Sequence, residues 1–371
     1  MRERHVTVGE LGERSLVARI QELLQVQGVG VVQGPGDDAA VVVGAGGSLV
    51  LTADSQHEGV HFKLSWIEPR MLGRRVMAIN ASDIAAMGAE PRWAIAALAL
   101  PPATPLPWLE ELVCGLRAAG EAFGCPVVGG DVAGVPDRLS VTVTVVGALR
   151  YDVQPLLRSG AQAGDGCWVT GHPGRAAAGR ALLEAGYRRR GDGGVLLDGV
   201  AVTDGGAVAD AGACLAAYLR PEPPLAMATV IGVDRLADAM IDLSDGLAVD
   251  LLRVCEASAV GVLLEADTLA SEPALQRWQE SGLGDALQWV LGGGEDYQLL
   301  CAVPPRAEPE LESVARKMGV EARRIGQFLP ASRGCRMARA GQVQPLVAAG
   351  WNHFPRPLRP RAPSPPGGQG G

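Results

Sequence analysis

The chain has 371 residues, of which 47% are hydrophobic, and a formal net charge of −8. Its length and apolar content predict a globular protein of about two domains. The acidic charge argues against a nucleic-acid-binding surface, and the longest apolar stretch, residues 93–100, is too short to cross a bilayer. Because the N-terminus also lacks an apolar signal segment, we expect a cytoplasmic protein with neither nucleic-acid nor membrane partners.

Residues 1–150 predict a first domain that mixes helices and strands. The predicted helices cover residues 15–27, 69–88 and 107–123. The predicted strands cover residues 41–43, 49–53, 93–100, 126–130 and 139–149. The first two strands should form a hairpin through the glycine-rich segment 44–47, and the strand at 126–130 should be short and buried. This mixture favours an α/β or α+β domain.

Residues 151–355 predict a second, α/β domain in which helices and strands alternate. The predicted strands cover residues 167–170, 260–266, 297–303 and 322–328. The predicted helices cover the alanine-rich segment after Gly174, a segment that ends at Leu219, and residues 232–240, 247–257, 272–281 and 308–318. The glycine- and arginine-rich segment 186–206 has no periodicity and predicts a surface loop. The proline- and glycine-rich residues 356–371 predict a disordered tail.

Cysteine and lysine usage narrows the chemistry. The seven cysteines are odd in number, widely spaced and mostly set among apolar residues, and no C-x-x-C spacing occurs. We therefore expect free thiols in the core rather than a zinc site or a disulfide framework. Lys63 and Lys317 are the only lysines. Any phosphate would consequently be bound by arginine, by backbone amides or through a metal.

Aspartates recur where apolar segments begin or end. They are Asp37, Asp38, Asp54, Asp131, Asp242 and Asp245. A single pair such as Asp37 and Asp38 is equally well explained as a turn capped by its own side chain. The recurrence favours one acidic rim, and converging carboxylates repel one another unless cations such as Mg²⁺ neutralise them. Asp83, in the C-terminal half of the predicted helix 69–88, needs a similar partner because the helix dipole disfavours an acid there.

The motifs of several common enzyme classes are missing. The sequence has no G-x-x-x-x-G-K-[ST] loop, no H-E-x-x-H and no G-x-S-x-G. It does have a glycine run at 292–294, which lets the backbone approach a ligand closely. Many carboxylates, scarce lysine and glycine-rich turns are most consistent with metal-assisted phosphoryl transfer. A phosphate group as acceptor would need no general base.

Seven motifs follow one another along the chain. They are Gly-Asp-Asp-Ala-Ala (36–40), Asp54 with Glu-Gly-Val-His-Phe (58–62), Asn-Ala-Ser-Asp-Ile-Ala-Ala-Met-Gly-Ala (80–89), Gly-Gly-Asp (129–131), Arg-Ser-Gly-Ala (158–161), Ile-Asp-Leu-Ser-Asp-Gly-Leu (241–247) and Gly-Gly-Glu-Asp-Tyr (293–297). In this order, and from about residue 10 to Phe354, the chain resembles the thiamine-monophosphate kinases, which belong to the superfamily of aminoimidazole ribonucleotide synthetase.

The resemblance implies a two-domain fold of the aminoimidazole ribonucleotide synthetase type. Residues 1–150 would bind ATP and magnesium, and their mixed sheet would pair across a homodimer. Residues 151–355 would form the C-terminal α/β domain. The implied reaction is the ATP-dependent phosphorylation of thiamine monophosphate to thiamine diphosphate, with several Mg²⁺ ions as cofactors and ATP as co-substrate.

Matching positions also imply roles for single residues. The implied magnesium ligands are Asp38, Thr52, Asp54, Asp83, Asp131, Asp242 and Asp245, with Ala53 giving at most its backbone carbonyl. The implied ATP-binding residues are Gly130, Asp131, Arg158 and Ser244. The implied thiamine phosphate-binding residues are His61, Glu295 and Trp351. No residue is implied as a general base, and Asp131 and Asp242 would act in catalysis through metal.

Other interpretations remain open. Val132 stands where the family usually has threonine, and segment 186–206 is longer than the family's corresponding loop. A different ATP-dependent synthetase of the same superfamily would share the motifs. The selenophosphate and hydrogenase-maturation types are disfavoured, because the chain has no N-terminal cysteine-lysine segment and no cysteine in its tail. A non-catalytic nucleotide-binding regulator is the alternative from another class.

Overall fold

Two large β-sheets organise the part of the chain that the computed structural model describes, which is residues 31–33, 37, 40–44, 47–269 and 271–354. Residues 27–351 belong to one structural unit. The predicted helix 15–27, Asp38 and the tail 356–371 lie outside the described residues. The predicted boundaries at residues 150 and 355 stay predictions.

The N-terminal sheet has six strands in the order β1-β2-β3-β6-β4-β5. The strands are β1 (Val31–Gln33), β2 (Ala40–Gly44), β3 (Gly47–His57), β4 (Glu90–Leu100), β5 (Val127–Gly134) and β6 (Ser140–Ala148). Strands β2 and β3 form the predicted hairpin, with Gly44 opposite Gly47. Only the pair β4 and β5 is parallel. The prediction of a buried strand at 126–130 is wrong, because β5 is a largely exposed strand at the sheet edge.

One face of the N-terminal sheet packs on helices α1 (Pro69–Ala86) and α2 (Leu106–Phe123). The two helices cross closely because each has a glycine that lies against the backbone of the other helix. A Cβ on Gly73 would lie 2.3 Å from the carbonyl oxygen of Leu112, and one on Gly115 would lie 2.0 Å from that of Arg70. The other face, here called the open face, carries Trp93, Ile95 and Ala97 of β4 and is exposed within the described residues.

The C-terminal region contains a seven-stranded sheet and a small three-stranded sheet. The strands of this region are β7 (Gly166–Thr170), β8 (Tyr187–Arg189), β9 (Val195–Leu197), β10 (Val200–Ala201), β11 (Ala239–Asp242), β12 (Val260–Glu265), β13 (Leu299–Val303), β14 (Ala322–Pro330), β15 (Cys335–Arg339) and β16 (Gln342–Pro345). The larger sheet has the order β11-β13-β7-β14-β12-β15-β16.

Eight helices of the described residues accompany these strands. They are α3 (Arg175–Glu184), α4 (Gly205–Leu219), α5 (Leu225–Val233), α6 (Leu247–Ser258), α7 (Ala266–Leu269), α8 (Pro273–Glu280), α9 (Ala286–Gly292) and α10 (Glu308–Met318). Five of the eight were predicted, but the sequence did not indicate α5, α7 or α9.

Two further predictions in this region are wrong. Residues 232–240 are not a helix, because α5 ends at Val233 and the chain enters strand β11 after Arg235, whose φ is 52°. A short apolar run has no periodicity that separates a buried strand from a helix. Segment 186–206 is not a simple loop, since it forms the antiparallel sheet β10-β9-β8. Pairing between neighbouring strands produces no signal in the spacing of apolar residues.

The seven cysteines are free thiols, as predicted, and five of them are buried. Burial raises the pKa of Cys125 to about 11, which keeps that thiol protonated and unreactive. In the part of the chain that the structure describes, no helix is long and apolar enough to cross a membrane.

Candidate active site

Helix α1 passes between the two large sheets and carries polar side chains in its C-terminal half. The Thr52 hydroxyl on β3 donates a hydrogen bond of 2.6 Å to a carboxylate oxygen of Asp83. The backbone N–H of Asp54 donates to the side-chain oxygen of Asn80 at 2.9 Å. Alternate residues of a strand point to the same face, so Thr52 and Asp54 both face α1. The helix and the strand thus hold three predicted metal-binding positions together.

The same helix reaches the C-terminal sheet through Ser82. Its hydroxyl donates a 2.7 Å hydrogen bond to Asp242 at the end of β11, and both side chains are buried. A buried carboxylate is costly unless hydrogen bonds or charges compensate it. Ser82 is therefore a structural partner of Asp242 that the sequence analysis did not identify.

The turn that follows β11 is held by two residues of α6. The fully buried carboxylate of Asp250 accepts hydrogen bonds from the backbone N–H groups of Asp245 and Gly246, both at 3.1 Å. Arg253 donates to Asp250 at 2.7 Å and to Asp245 at 2.6 Å. Burial alone would lower the pKa of Arg253, but the two carboxylates raise it, so the guanidinium stays charged. In the sequence, the pairing of Asp250 with Arg253 is indicated by their i, i+3 spacing on α6.

The glycine-rich segment before Glu295 packs directly on this turn. A Cβ on Gly294 would lie 2.7 Å from the carbonyl oxygen of Ser244, which also accepts a 2.7 Å hydrogen bond from the backbone N–H of Glu295. Glu295 and Tyr297 both have positive φ, 63° and 49°. Left-handed backbone costs about 1–2 kcal/mol per non-glycine residue, so these contacts hold a strained segment in place.

Tyr297 is a buried residue whose hydroxyl is influenced by the charges of several predicted site residues. Burial raises the pKa of the Tyr297 hydroxyl well above its usual value. The charges of Glu295, Asp54 and Asp242 raise this pKa further. The hydroxyl therefore stays protonated, and three predicted site residues act on one position.

The residues predicted for thiamine phosphate are linked by side chains that the sequence analysis missed. Arg75 on α1 donates a 2.6 Å hydrogen bond to Glu295. The Tyr218 hydroxyl on α4 donates to the carbonyl oxygen of His61 at 2.7 Å. Trp351, which is partly exposed, donates its backbone N–H to the carbonyl oxygen of Asp245 at 2.9 Å.

Two predicted nucleotide-binding positions lie apart from this cluster. The strand register places Asp54, Val143, Ala96 and Gly130 in one row across the sheet. Three strand spacings separate Asp54 from Gly130, which is about 14 Å. Asp131 is exposed on β5, and its side chain makes no hydrogen bond or ion pair with another described residue.

Arg158, which is also predicted to bind ATP, contacts the carboxylate of Asp37 near the opposite edge of the sheet, between β1 and β2. Its backbone N–H donates to Asp37 at 3.0 Å, and its Nε lies 3.5 Å from the same carboxylate.

The donor set suits a hard cation only in part. Among the described residues, no three acidic, histidine or cysteine side chains are close enough to hold a metal ion by themselves. Mg²⁺ commonly takes one or two carboxylates and completes its shell with water and substrate phosphates. The oxygen pairs Thr52 with Asp83 and Ser82 with Asp242 match that chemistry when a phosphate supplies further oxygens. Asp38, the remaining predicted ligand of this region, lies outside the described residues.

Protein-family models match most of the chain. The model described as "AIR synthase related protein, N-terminal domain" matches residues 36–149, and the corresponding C-terminal domain model matches residues 198–335. The thiamine-monophosphate kinase of Salmonella typhimurium is 34% identical over 347 residues, which covers 93% of this chain and 99% of that protein. The Mycobacterium tuberculosis enzyme of the same name is 36% identical over 310 residues, 81% of this chain and 83% of that protein.

Solved structures agree. AaThiL complexed with AMPPCP and TMP has a TM-score of 0.78 and 28% identity, and the match covers 94% of this chain and 99% of that chain. Thiamine-monophosphate kinase from Stenotrophomonas maltophilia K279a has a TM-score of 0.69 and 31% identity, with 86% and 93% covered. These matches confirm the resemblance and the predicted mixed α/β fold. The chain therefore belongs to the thiamine-monophosphate kinase family.

Proposed function

We propose that this protein transfers the γ-phosphoryl group of ATP to thiamine monophosphate, giving thiamine diphosphate and ADP. The single observation that carries the proposal is the position of α1. Through Ser82 and Arg75 it joins the Asp54 and Asp83 region of the N-terminal sheet to Asp242 and Glu295 of the C-terminal region. The family membership and the AaThiL complex with AMPPCP, an ATP analogue, and TMP support both substrates.

The proposed residues fall into two groups, one for each substrate. Gly130, Asp131, Arg158 and Ser244 would bind ATP, and His61, Glu295 and Trp351 would bind thiamine monophosphate. Magnesium, held by the aspartates named above with Thr52, would neutralise charge on both phosphate groups. The residues themselves orient the two phosphates in line, which is the main contribution of protein groups to phosphoryl transfer.

No proton acceptor is needed in this reaction. The phosphate oxygen of the acceptor is already ionised at neutral pH, so it attacks without a base. The buried Tyr297 hydroxyl does not supply a base either, because burial and the charges of three carboxylates raise its pKa and keep it protonated. Thiamine itself, which would attack through an alcohol, should accordingly be a poor acceptor.

An assay of ADP release from ATP tests the proposal. We expect release that depends on thiamine monophosphate, with thiamine diphosphate identified by mass, and little release with thiamine or without acceptor. His61→Ala should raise the KM for thiamine monophosphate more than it lowers kcat. ADP release with free phosphate as the other product would indicate a synthetase, and nucleotide binding without turnover would indicate a regulator. Efficient phosphorylation of thiamine, or a fall in kcat with unchanged KM in His61→Ala, would contradict the base-free mechanism.

We also propose that the protein is a homodimer joined through the open face of the N-terminal sheet. Ile95 lies on β4, between β5 and β6, yet its side chain is 48% exposed. Trp93 on the same face is 49% exposed. Apolar side chains in the middle of a sheet are usually covered, and a second copy of the same chain is the simplest cover. A cytoplasmic location stays a prediction.

A further inference from the structure

Arg75 is the largest side chain that is fully buried in the described residues. It belongs to the inward stripe of α1, between Leu72 and Ile79. Its guanidinium donates a hydrogen bond of 2.6 Å to Oε1 of Glu295 and another to the backbone carbonyl oxygen of Tyr218. The guanidinium carbon also lies 4.5 Å from the centre of the Tyr218 ring. One charged group in the core thus contacts two separate segments of the C-terminal region.

The contacts of Arg75 compensate its burial incompletely. Its buried Nε has no hydrogen-bond partner within the described part of the chain. Burial alone would lower the pKa of Arg75, but Glu295 and the two tyrosines at 218 and 297 raise it, so the group remains a cation. Apolar residues of similar volume often stabilise a core as well as a buried ion pair does. A role beyond packing therefore explains an arginine at this position better.

Tyr218 extends the connection to a second residue of the acceptor side. Its side chain is 2% exposed, and its hydroxyl donates to the carbonyl oxygen of His61 at 2.7 Å. Arg75 and Tyr218, called the brace here, therefore join Glu295 to His61 through buried contacts. Arg75 is 143 positions from Tyr218 and 220 positions from Glu295 along the chain. The two residues that the brace joins are two of the three proposed to bind thiamine monophosphate.

We propose that the Arg75–Tyr218 brace positions Glu295 and His61 for the thiamine part of the acceptor. Arg75 binds Oε1 of Glu295, and 21% of the Glu295 side chain stays exposed, so the carboxylate can bind the ligand through its second oxygen. Thiamine carries a positive ring and an amino group, and a carboxylate oxygen binds either. Both brace residues are positioning residues, and the proposal rests on the proposed function of the site.

The test compares Arg75→Met with Arg74→Met. Arg74 is the neighbouring residue on α1, and its ion pair with Glu222, at 3.4 Å, lies at the surface. For Arg75→Met we expect the KM for thiamine monophosphate to rise about tenfold or more, while the KM for ATP changes less than about twofold. Arg74→Met should change neither. Arg75→Lys, which keeps the charge but not the fork geometry, should restore part of the loss.

Two further variants separate positioning from stability. Tyr218→Phe removes only the hydroxyl that holds His61, so it should raise the KM for thiamine monophosphate by a few fold and leave the fold unchanged. In a Glu295→Gln background, Arg75→Met should add little, because Arg75 acts through Glu295. Tyr218→Phe also keeps the test decisive if Arg75→Met folds poorly, because it leaves Arg75 in place.

Several results would overturn the proposal. One is an equal rise in KM for both substrates, and another is an effect of Arg75→Met that is undiminished in the Glu295→Gln background. A normal KM for thiamine monophosphate in both Arg75→Met and Tyr218→Phe would do the same. If the wild-type protein instead shows no ADP release that depends on thiamine monophosphate, the proposed function itself fails, and the brace fails with it.

Discussion

The two large sheets bury their side chains differently. In the C-terminal sheet, every residue of β7 and of β13 is buried. Successive residues of β7 contribute to separate cores on opposite faces, Val169 to one and Trp168 to the other. In the N-terminal sheet, β6 alternates between buried and partly exposed residues along its whole length. Continuous apolar strands indicate helices on both faces, and alternation indicates cover on one face only.

This difference shows which region completes its own core. The central strands of the C-terminal sheet are covered by residues of the same chain, whereas the N-terminal sheet leaves Trp93 and Ile95 exposed on its open face. Its edge strand β5, which carries the predicted nucleotide-binding residues Gly130 and Asp131, is exposed as well. The candidate active site thus combines a region whose central strands are buried on both faces with a region that leaves one sheet face exposed.

The largest expected effect on turnover comes from one carboxylate in each of the two regions. Asp83→Asn in the N-terminal region and Asp242→Asn in the C-terminal region should each lower kcat at least about 100-fold, because each removes charge that phosphoryl transfer needs. Steady-state kinetics with Glu110→Gln, an exposed acid on α2, as control would measure this. Thermal unfolding should show an intact fold for both variants, and reduced carboxylate repulsion should offset the weaker hydrogen bond from Thr52 in Asp83→Asn.

Near-normal turnover in both aspartate variants would contradict the magnesium site. Loss of activity in one variant alone would show that only one of the two sheets contributes to it.

The next effect concerns the open face. Ile95→Arg should weaken self-association at least about 100-fold, since it places an unpaired charge in an apolar interface. The matched control is Val343→Arg, because Val343 on β16 of the C-terminal sheet is 55% exposed, close to the 48% of Ile95. Light scattering at micromolar concentration should give a dimer for the wild type and for Val343→Arg, and a monomer for Ile95→Arg. A monomeric wild type would remove the dimer proposal.

The smallest effect concerns a carboxylate inside the C-terminal region. Asp296 accepts backbone hydrogen bonds from Gly174 and Ala176 at the start of α3. Burial raises its pKa from 3.8 to about 7, although these two hydrogen bonds lower it. Between about pH 4 and pH 7 the folded state then keeps a proton that the unfolded state has lost. Stability should fall by up to about 1.4 kcal/mol per pH unit across this window and level off above it.

Chemical denaturation of the wild type and Asp296→Asn at about pH 5, 6, 7 and 8 would measure this slope. Asparagine still caps a helix but does not titrate, so the slope should disappear in the variant. The control variant is Asp204→Asn. The Asp204 side chain also accepts a backbone hydrogen bond at the start of a helix, α4, but from an exposed position. Equal slopes in the wild type and Asp296→Asn would show that Asp296 is ionised throughout.

Much of the fold could be predicted from local patterns. The helices at 69–88 and 107–123 were found because their apolar residues repeat at helical spacing, and proline at the start and glycine after the end mark their limits. The predicted helix 232–240 wrongly included the first two residues of strand β11, because four residues that are all buried show no periodicity. The exposed position of β5 depends on the strand order, which periodicity does not encode.

The sequence by itself determined the family and the residue types of the site, because the motifs are short, contiguous and ordered along the chain. Only the tertiary structure decided which partners hold those residues. Arg75 and Glu295 are 220 positions apart, and Ser82 and Asp242 are 160 apart. Local spacing carries no information about such pairs. They exist because α1 is packed between two sheets, and a buried polar group in that place requires a partner from whichever segment lies against it.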